Sequence, residues 1–311
     1  MRIKGSDAFA GAKGNPERAM SKWVTEFDGL AKIHHRPKFT FGRESKFFTI
    51  GSCFARNVEN WLRSNGVTLL SEVRSIPGDF YEIGGKERAG YQNVYTPGSV
   101  LEAVRLCRQS DIYHSIAGSD DAAFDLLTSG LKPLLKEEAI KIRQGLVECY
   151  QRLASADVVV VTLGYNESWV YAPSGAYINR APSHPSLRKK IEDFEFEIMG
   201  YEQSLAVVVA AIEEISRVVC EAKIVVTVSP VPLGSTFSAN SVVVANQLSK
   251  AVLRSVAGEV SLRYENVDCF PSYEMVVNSR RDLAFEVDGI HVKKEVVAEV
   301  MRSFSRAYFQ Q

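Results

Sequence analysis

Three groups of residues have the types and spacing for covalent chemistry. Gly51-Ser52-Cys53 closes the apolar run Phe48-Thr49-Ile50, Gly164-Tyr165-Asn166-Glu167 follows Val158 to Leu163, and Asp288-Gly289-Ile290-His291 lies near the C-terminus. The first offers a hydroxyl and a thiol at a turn from strand to helix, where helix N–H groups face whatever sits there. A thiol attacks only as thiolate, favoured by a helix N-terminus or a paired histidine, and a serine needs a base within hydrogen-bond reach. The second group puts the Asn166 amide at a strand's carboxyl end, where it can donate to a developing oxyanion. Glu167 beside it can orient a neighbour or pair with a cation. In the third, the three-residue offset lets Asp288 accept from one imidazole nitrogen of His291 and leaves the other as a base. Nucleophile, donor and acid–base pair together suit acyl transfer. Taken singly, each has a plainer role: a helix-capping turn with Cys53 as a small buried hydrophobe, an Asx-turn, a surface pair.

The elements that must position these groups follow from the apolar pattern. Lys46 to Ile50, Val158 to Leu163 and Ile224 to Val228 read as strands, the β-branched runs as strands buried on both faces. Val67 to Leu70 reads as a second short strand and Leu262-Arg263-Tyr264 as another. Helices are expected over Arg56 to Asn65, Ser99 to Cys107 with a serine cap, Lys136 to Ala154, Tyr201 to Val219, Asn240 to Val256 and Lys293 to Phe309. Ser75 to Pro97 reads as a long loop, and long loops in compact domains are commonly functional. Alternating strands and helices indicate a three-layer α/β/α sandwich with a mainly parallel sheet. Residues 1–44 read as an N-terminal extension wrapping the core. Residues 45–311 read as one domain, with a hairpin-bearing insertion around 169–200.

Bulk properties narrow the function classes. The 311 residues carry 37 Lys+Arg against 37 Asp+Glu, so no net charge draws the chain to nucleic acid or anionic membrane. Five scattered cysteines (Cys53, Cys107, Cys149, Cys220, Cys269) include no CxxC pair, which argues against structural zinc and a disulfide framework and for reduced thiols in the cytoplasm. Histidines lack HxH or HxxxH spacing, so no metal site is expected. His34 and His35 have no acidic partner nearby in sequence. No signal peptide or membrane span is read, and no GxGxxG or Walker-type loop supports a nucleotide enzyme.

The order of the three groups makes the sequence similar to the GSCFA family, whose pentapeptide stands here as Gly51-Ser52-Cys53-Phe54-Ala55, and in turn to the SGNH/GDSL hydrolases. Further family-like pieces are Tyr95-Thr96-Pro97, Thr162 to Trp169, Val228-Ser229-Pro230-Val231-Pro232 and Phe270-Pro271-Ser272-Tyr273-Glu274; the resemblance runs from Lys38 to Ala307. It implies an SGNH-hydrolase-like sheet of flavodoxin-like topology. It puts Cys53 where the hydrolases have their serine, Asn166 (with Gly164 and Glu167 in its block) at the oxyanion hole, and Asp288 and His291 as orienter and base. The remaining oxyanion-hole glycine has no clean match; Gly90 and Asn93 in the long loop are the candidates. The cysteine is a departure, and it leaves open a Cys53 nucleophile, Ser52 in a shifted turn, or a binding protein without covalent catalysis. Register and the soundness of a Cys–His pair favour Cys53. The implied activity is that of an esterase or O-acyltransferase on a carbohydrate or polysaccharide precursor in a bacterial setting. The alternative is a non-catalytic module for a carbohydrate or acyl ligand. No cofactor is required; an acyl-CoA donor would suit a transferase, though no phosphate loop speaks for one.

Overall fold

In the computed structural model, which describes residues 2–15, 17–21, 23, 27–82 and 89–310, the apolar runs become a parallel sheet. Its strands are β1 (Phe47–Gly51), β4 (Val158–Leu163), β8 (Lys223–Val228) and β9 (Val267–Cys269), in the order β1-β4-β8-β9. Gly51 pairs with Thr162 and Thr162 with Thr227, so three carboxyl ends are level. Leu69 bridges Phe47 in parallel on the outer side of β1. Phe47 N–H donates to Thr68 O at 2.9 Å and Leu70 N–H to Phe47 O at 2.8 Å. The expected second strand is therefore a single bridge, and with it the sheet has the doubly wound 2-1-3-4-5 order whose switch point lies between β1 and β4.

The longer helices are α1 (Gly5–Lys13), α2 (Cys53–Ser64), α3 (Pro97–Arg105), α4 (Lys136–Gln151), α5 (Tyr201–Val218), α6 (Val242–Arg263) and α7 (Lys294–Tyr308). Alternate strand residues feed the two faces, as the two-residue period requires. Phe48, Ile50, Val159, Val161, Ile224 and Val226 pack in one core with α3 to α6. Phe47, Val158, Val160 and Val225 pack in the other with α2 and α7. This is the three-layer arrangement expected. Two small antiparallel sheets lie outside it: β2 (Ile116–Ser119) with β3 (Ala122–Asp125), and a three-stranded sheet in the order β6-β5-β7 from β5 (Glu167–Tyr171), β6 (Ala176–Ile178) and β7 (Phe194–Ile198).

Three local expectations are corrected. Leu262-Arg263-Tyr264 is not a strand: Leu262 and Arg263 close α6 and Tyr264 is its C-cap, because the helical apolar stripe (Leu253, Val256, Ala257, Val260) continues and Glu259 pairs with Arg263 at 2.8 Å. The strand is β9, drawn in by parallel register with Ile224 to Val226. Helix α3 opens two residues earlier than its serine suggested. Thr96 is the cap: its Oγ1 accepts from Ser99 N–H at 3.1 Å while Ser99 Oγ accepts from Thr96 N–H at 3.0 Å, a reciprocal capping box. Helix α2 opens at Cys53 rather than Arg56. Part of the long loop, residues 83–88, lies outside the described residues.

Residues 27–45 are fastened to the core by polar contacts, whereas α1 buries no residue. Ala31 N–H donates to Ser279 Oγ at 2.8 Å, and Phe41 N–H to Tyr308 O at 2.9 Å. Buried Asp268 is the main anchor. Its Oδ2 lies 3.0 Å from His35 Nε2 and accepts from Tyr308 OH at 2.9 Å and Lys38 N–H at 3.1 Å. Burial pulls this carboxyl up, but the bonds from His35, Lys38 and Tyr308 outweigh it and hold it below its ordinary range. A depressed carboxylate stabilises the fold above its unfolded value, and that stability is lost as pH falls through the folded value. Acidification below about pH 4 should therefore release the segment around His35, read as faster protease cleavage there. Asp268→Asn should cost about 2 kcal/mol at neutral pH and flatten that acid response. Equal cleavage of both proteins from pH 7 down to the acid limit would remove Asp268 from this role.

Candidate functional site

At the switch point the sequence motifs are tied to one another through backbone. Val94 N–H donates to Gly51 O at 3.0 Å, and both Gly164 N–H (2.9 Å) and Tyr165 N–H (3.0 Å) donate to Tyr95 O. Ser229 N–H donates to Leu163 O at 2.8 Å. The elbow Gly51-Ser52-Cys53, the loop Asn93 to Thr96, the Gly164 block and the Ser229-Pro230-Val231 turn thus form one sheet edge. The approach is close enough to require two glycines. A Cβ on Gly51, whose φ is +150°, would sit 2.6 Å from Thr162 O, and one on Gly164 would sit 2.6 Å from Tyr95 O.

Ser52 and Cys53 part company at the elbow. Ser52 is the buried N-cap of α2, its Oγ accepting from Phe54 N–H at 3.4 Å. Cys53 is the first helical residue and is partly exposed. Burial raises its thiol above the ordinary range. Hydrogen bonds from the N–H groups of Cys53 and Phe54, and the charges of Lys250 and Arg56, work against that rise without overcoming it. The resting group is therefore a thiol.

Lys250 escaped the sequence reading. It projects from the inward stripe of α6, between Ser249 and Leu253, and is 1% exposed. Its Nζ donates to Gly164 O at 2.6 Å, Ser229 O at 2.8 Å and Val231 O at 2.8 Å. Among the described residues no carboxylate pairs with it, and the Cys53 sulfur is the ionisable group that its charge meets. Burial drives its pKa down to about 7. Three carbonyls at hydrogen-bond distance favour the ammonium, the one form with three hydrogens to fill them. The available signal was a lysine on the apolar stripe of a long helix.

The other expected residues fall as follows. Asn166 is buried; its Nδ2 donates to Met199 O at 2.7 Å, its carbonyl accepts from Met199 N–H at 3.0 Å, and its N–H donates to Ser249 Oγ at 2.9 Å. One amide hydrogen is thus spent clamping the end of β7. Glu167 holds the loop over β5, accepting from Phe237 N–H at 3.1 Å and from Thr236 Oγ1. Asn93 is buried beside the elbow; its Nδ2 donates to Tyr95 OH at 3.3 Å and its Oδ1 has no partner. Gly90 O accepts from Ser129 Oγ at 2.7 Å. Asp288 and His291 form the expected pair, with Nδ1 2.5 Å from Oδ2, and Asp288 Oδ1 also accepts from Ile290 N–H (2.8 Å) and His291 N–H (3.0 Å). The bond to the His291 side chain, followed by these backbone bonds, holds the Asp288 carboxyl down to about 2. The His291 side chain is 67% exposed, and no hydrogen bond joins its ring to Cys53 among the described residues. Among those residues no group of three or more His, Cys, Asp or Glu could hold a metal, and no helix is long and apolar enough to cross a membrane.

A doubly wound sheet with a cysteine elbow at its switch point defines an α/β-sandwich protein of the kind that builds its site at strand carboxyl ends. The chain belongs to the GSCFA family, whose model matches residues 46–304. No curated protein matches it. Among solved structures it is similar to a family 3 carbohydrate esterase of Clostridium thermocellum, at 10% identity over 85% of this chain and 94% of that one, with a TM-score of 0.37. It is also similar to a family 3 carbohydrate esterase of Talaromyces cellulolyticus, at 10% identity over 84% and 95%, TM-score 0.36. An acetylxylan esterase of Geobacillus stearothermophilus matches at 13% identity over 86% and 96%, TM-score 0.33.

Proposed function

We propose that this protein carries out acyl-ester chemistry on a carbohydrate, with Cys53 as nucleophile, His291 as base and Asp288 as its orienter. One observation carries the choice of nucleophile: Ser52 spends its hydroxyl as a buried cap, while Cys53 lies partly exposed at the switch point. In the first step the thiol proton passes to His291 Nε2 as the sulfur–carbon bond forms. The carbonyl becomes an oxyanion beside the elbow N–H groups and the side-chain amide of Asn93 or Asn166. Collapse returns the proton to the leaving sugar oxygen and leaves a thioester on Cys53. Water then completes hydrolysis; a second sugar hydroxyl in its place would make the protein an O-acyltransferase. Aromatic rings next to the motif edge support a sugar as the acylated partner.

The test is to trap the intermediate. Wild-type protein mixed with p-nitrophenyl acetate and quenched in acid should yield a peptide acetylated on Cys53, and Cys53→Ala should yield none. Turnover without any Cys53 adduct would move the chemistry off this thiol. Neither turnover nor adduct, with sugar binding intact, would favour a non-catalytic binding module.

A further inference from the structure

Against the Thr96 and Tyr165 side of the motif edge, between the small β6-β5-β7 sheet and the loop after β8, lies a cleft of about 250 Å³. Tyr165 and Thr96 form the wall it shares with the motif edge. Trp169, Phe196 and Phe237 line the far side as one aromatic cluster, with Trp169 centred 5.1 Å from each of the other two rings. Phe237 is 53% exposed, an apolar ring left at the mouth. The polar lining includes Asn179, Ser235 and Arg180. Asn179 couples the cleft to the elbow: its Oδ1 accepts from Tyr95 N–H at 3.1 Å, and its Nδ2 donates to Asn93 O.

Arg180 is the informative group. Its side chain is 9% exposed, Nη1 donates to Leu131 O at 2.8 Å, Nη2 donates to Glu82 at 2.5 Å, and Nε is buried with no partner. Buried donors are nearly always satisfied, so a lone one on a residue that lines the cleft points to an acceptor that a ligand brings once the side chain shifts to present it. The charge of Arg180 is already matched by Glu82, which lies outside the lining, and Glu167 is the carboxylate of the lining itself. An acidic ligand would therefore meet net negative charge. Ring faces for C–H stacking, a single unsatisfied N–H and small polar groups are the features of an orienting, mainly apolar ligand site.

We propose that this cleft is a subsite for an uncharged pyranose ring, stacked on the exposed Phe237 ring that Trp169 meets edge to face and accepting a hydrogen bond from Arg180 Nε. Its role as the substrate's sugar subsite rests on the proposed acyl chemistry; sugar binding itself does not. Glu167 then acts as a positioning residue, holding Phe237 over the cleft through its backbone N–H.

Saturation-transfer NMR with neutral methyl pyranosides (gluco, galacto, xylo and 2-acetamido-gluco) and with methyl glucuronide tests this. At least one neutral glycoside should bind, with its C–H face most strongly saturated, and the glucuronide should bind at least about tenfold more weakly. Phe237→Ala, at an exposed position, should weaken binding about tenfold, the loss of one stacking contact; Arg180→Lys should also weaken it. Cys53→Ala should bind as wild type does. No binding of any neutral glycoside, binding untouched by Phe237→Ala and Arg180→Lys, or glucuronide binding as tight as the neutral sugars would overturn the proposal. Sugar binding without Cys53 acylation strikes the acyl chemistry alone, and acylation without sugar binding strikes this subsite alone.

Discussion

Cys53→Ala should lose roughly 10³-fold or more in kcat/KM toward a simple acetyl ester, with Cys53→Ser keeping a small residue of that rate. The serine retains an oxygen at the right position but is the poorer nucleophile beside a base matched to a thiol. Because burial holds the Cys53 thiol above its ordinary range, the resting protein carries a neutral sulfur at pH 7. Direct alkylation of Cys53 by iodoacetamide, read by peptide mass in a Cys220→Ser background that removes the exposed thiol, should therefore keep climbing through the ordinary thiol range with no plateau near neutrality. In the proposed mechanism turnover needs no such thiolate, since His291 would take the proton during attack. His291→Ala should then cost about as much as Cys53→Ala, and the double variant little more, the non-additivity of groups acting as a unit. Full activity in His291→Ala, or an alkylation plateau near pH 7, would replace this mechanism by one with another base or a preformed thiolate.

Lys250→Met should have the largest effect on stability. It strands three buried carbonyls, each worth about 1 kcal/mol or more when unpaired, partly offset by relief of ammonium desolvation; we expect a net loss of about 3 kcal/mol. It also removes a positive charge that favours the Cys53 thiolate, so the alkylation curve should move to still higher pH in whatever fraction folds. The wild type supplies an independent reading. A lysine titrating at about 7 in the fold and near 10.4 when unfolded would leave the unfolded chain binding the extra proton between those values. Stability would then rise with pH by up to about 1.4 kcal/mol per unit. Three filled carbonyls predict instead an ammonium in the fold and a flat stability curve from pH 7 to 9. Chemical denaturation across that range decides between them.

The sheet was legible because its strands are buried on both faces and so read as unbroken β-branched runs; Val158 to Leu163 matches β4 at both ends. Helix starts were less so, because the caps are decided by hydrogen bonds between side chain and backbone: Thr96 outcompetes Ser99, and Ser52 opens α2 three residues ahead of the obvious amphipathic pattern. Leu262 to Tyr264 misled because an apolar–polar–aromatic alternation at a helix end looks like a strand when the partner strand is unknown. Of the candidate site, the glycine elbow, the Gly164 block and the Asp288–His291 pair could be found by spacing, since each is local. Lys250, the Asn166–Met199 clamp and the His35–Asp268 anchor could not. Their partners lie between 19 and 233 positions away in the chain, and only the fold brings them within reach.

Glu167 and Gly164 stand three positions apart, yet one borders the thiol elbow and the other fastens the lid-like Phe237 loop. If the proposed chemistry and subsite hold, reactivity and ligand choice are coded in one short stretch at the exit of β4, which leaves that stretch little freedom to vary. The 233–241 turn, by contrast, touches recognition without touching the elbow's backbone ties. On the proposed sugar subsite, a change of sugar, by nature or by design, should proceed by exchanging that turn.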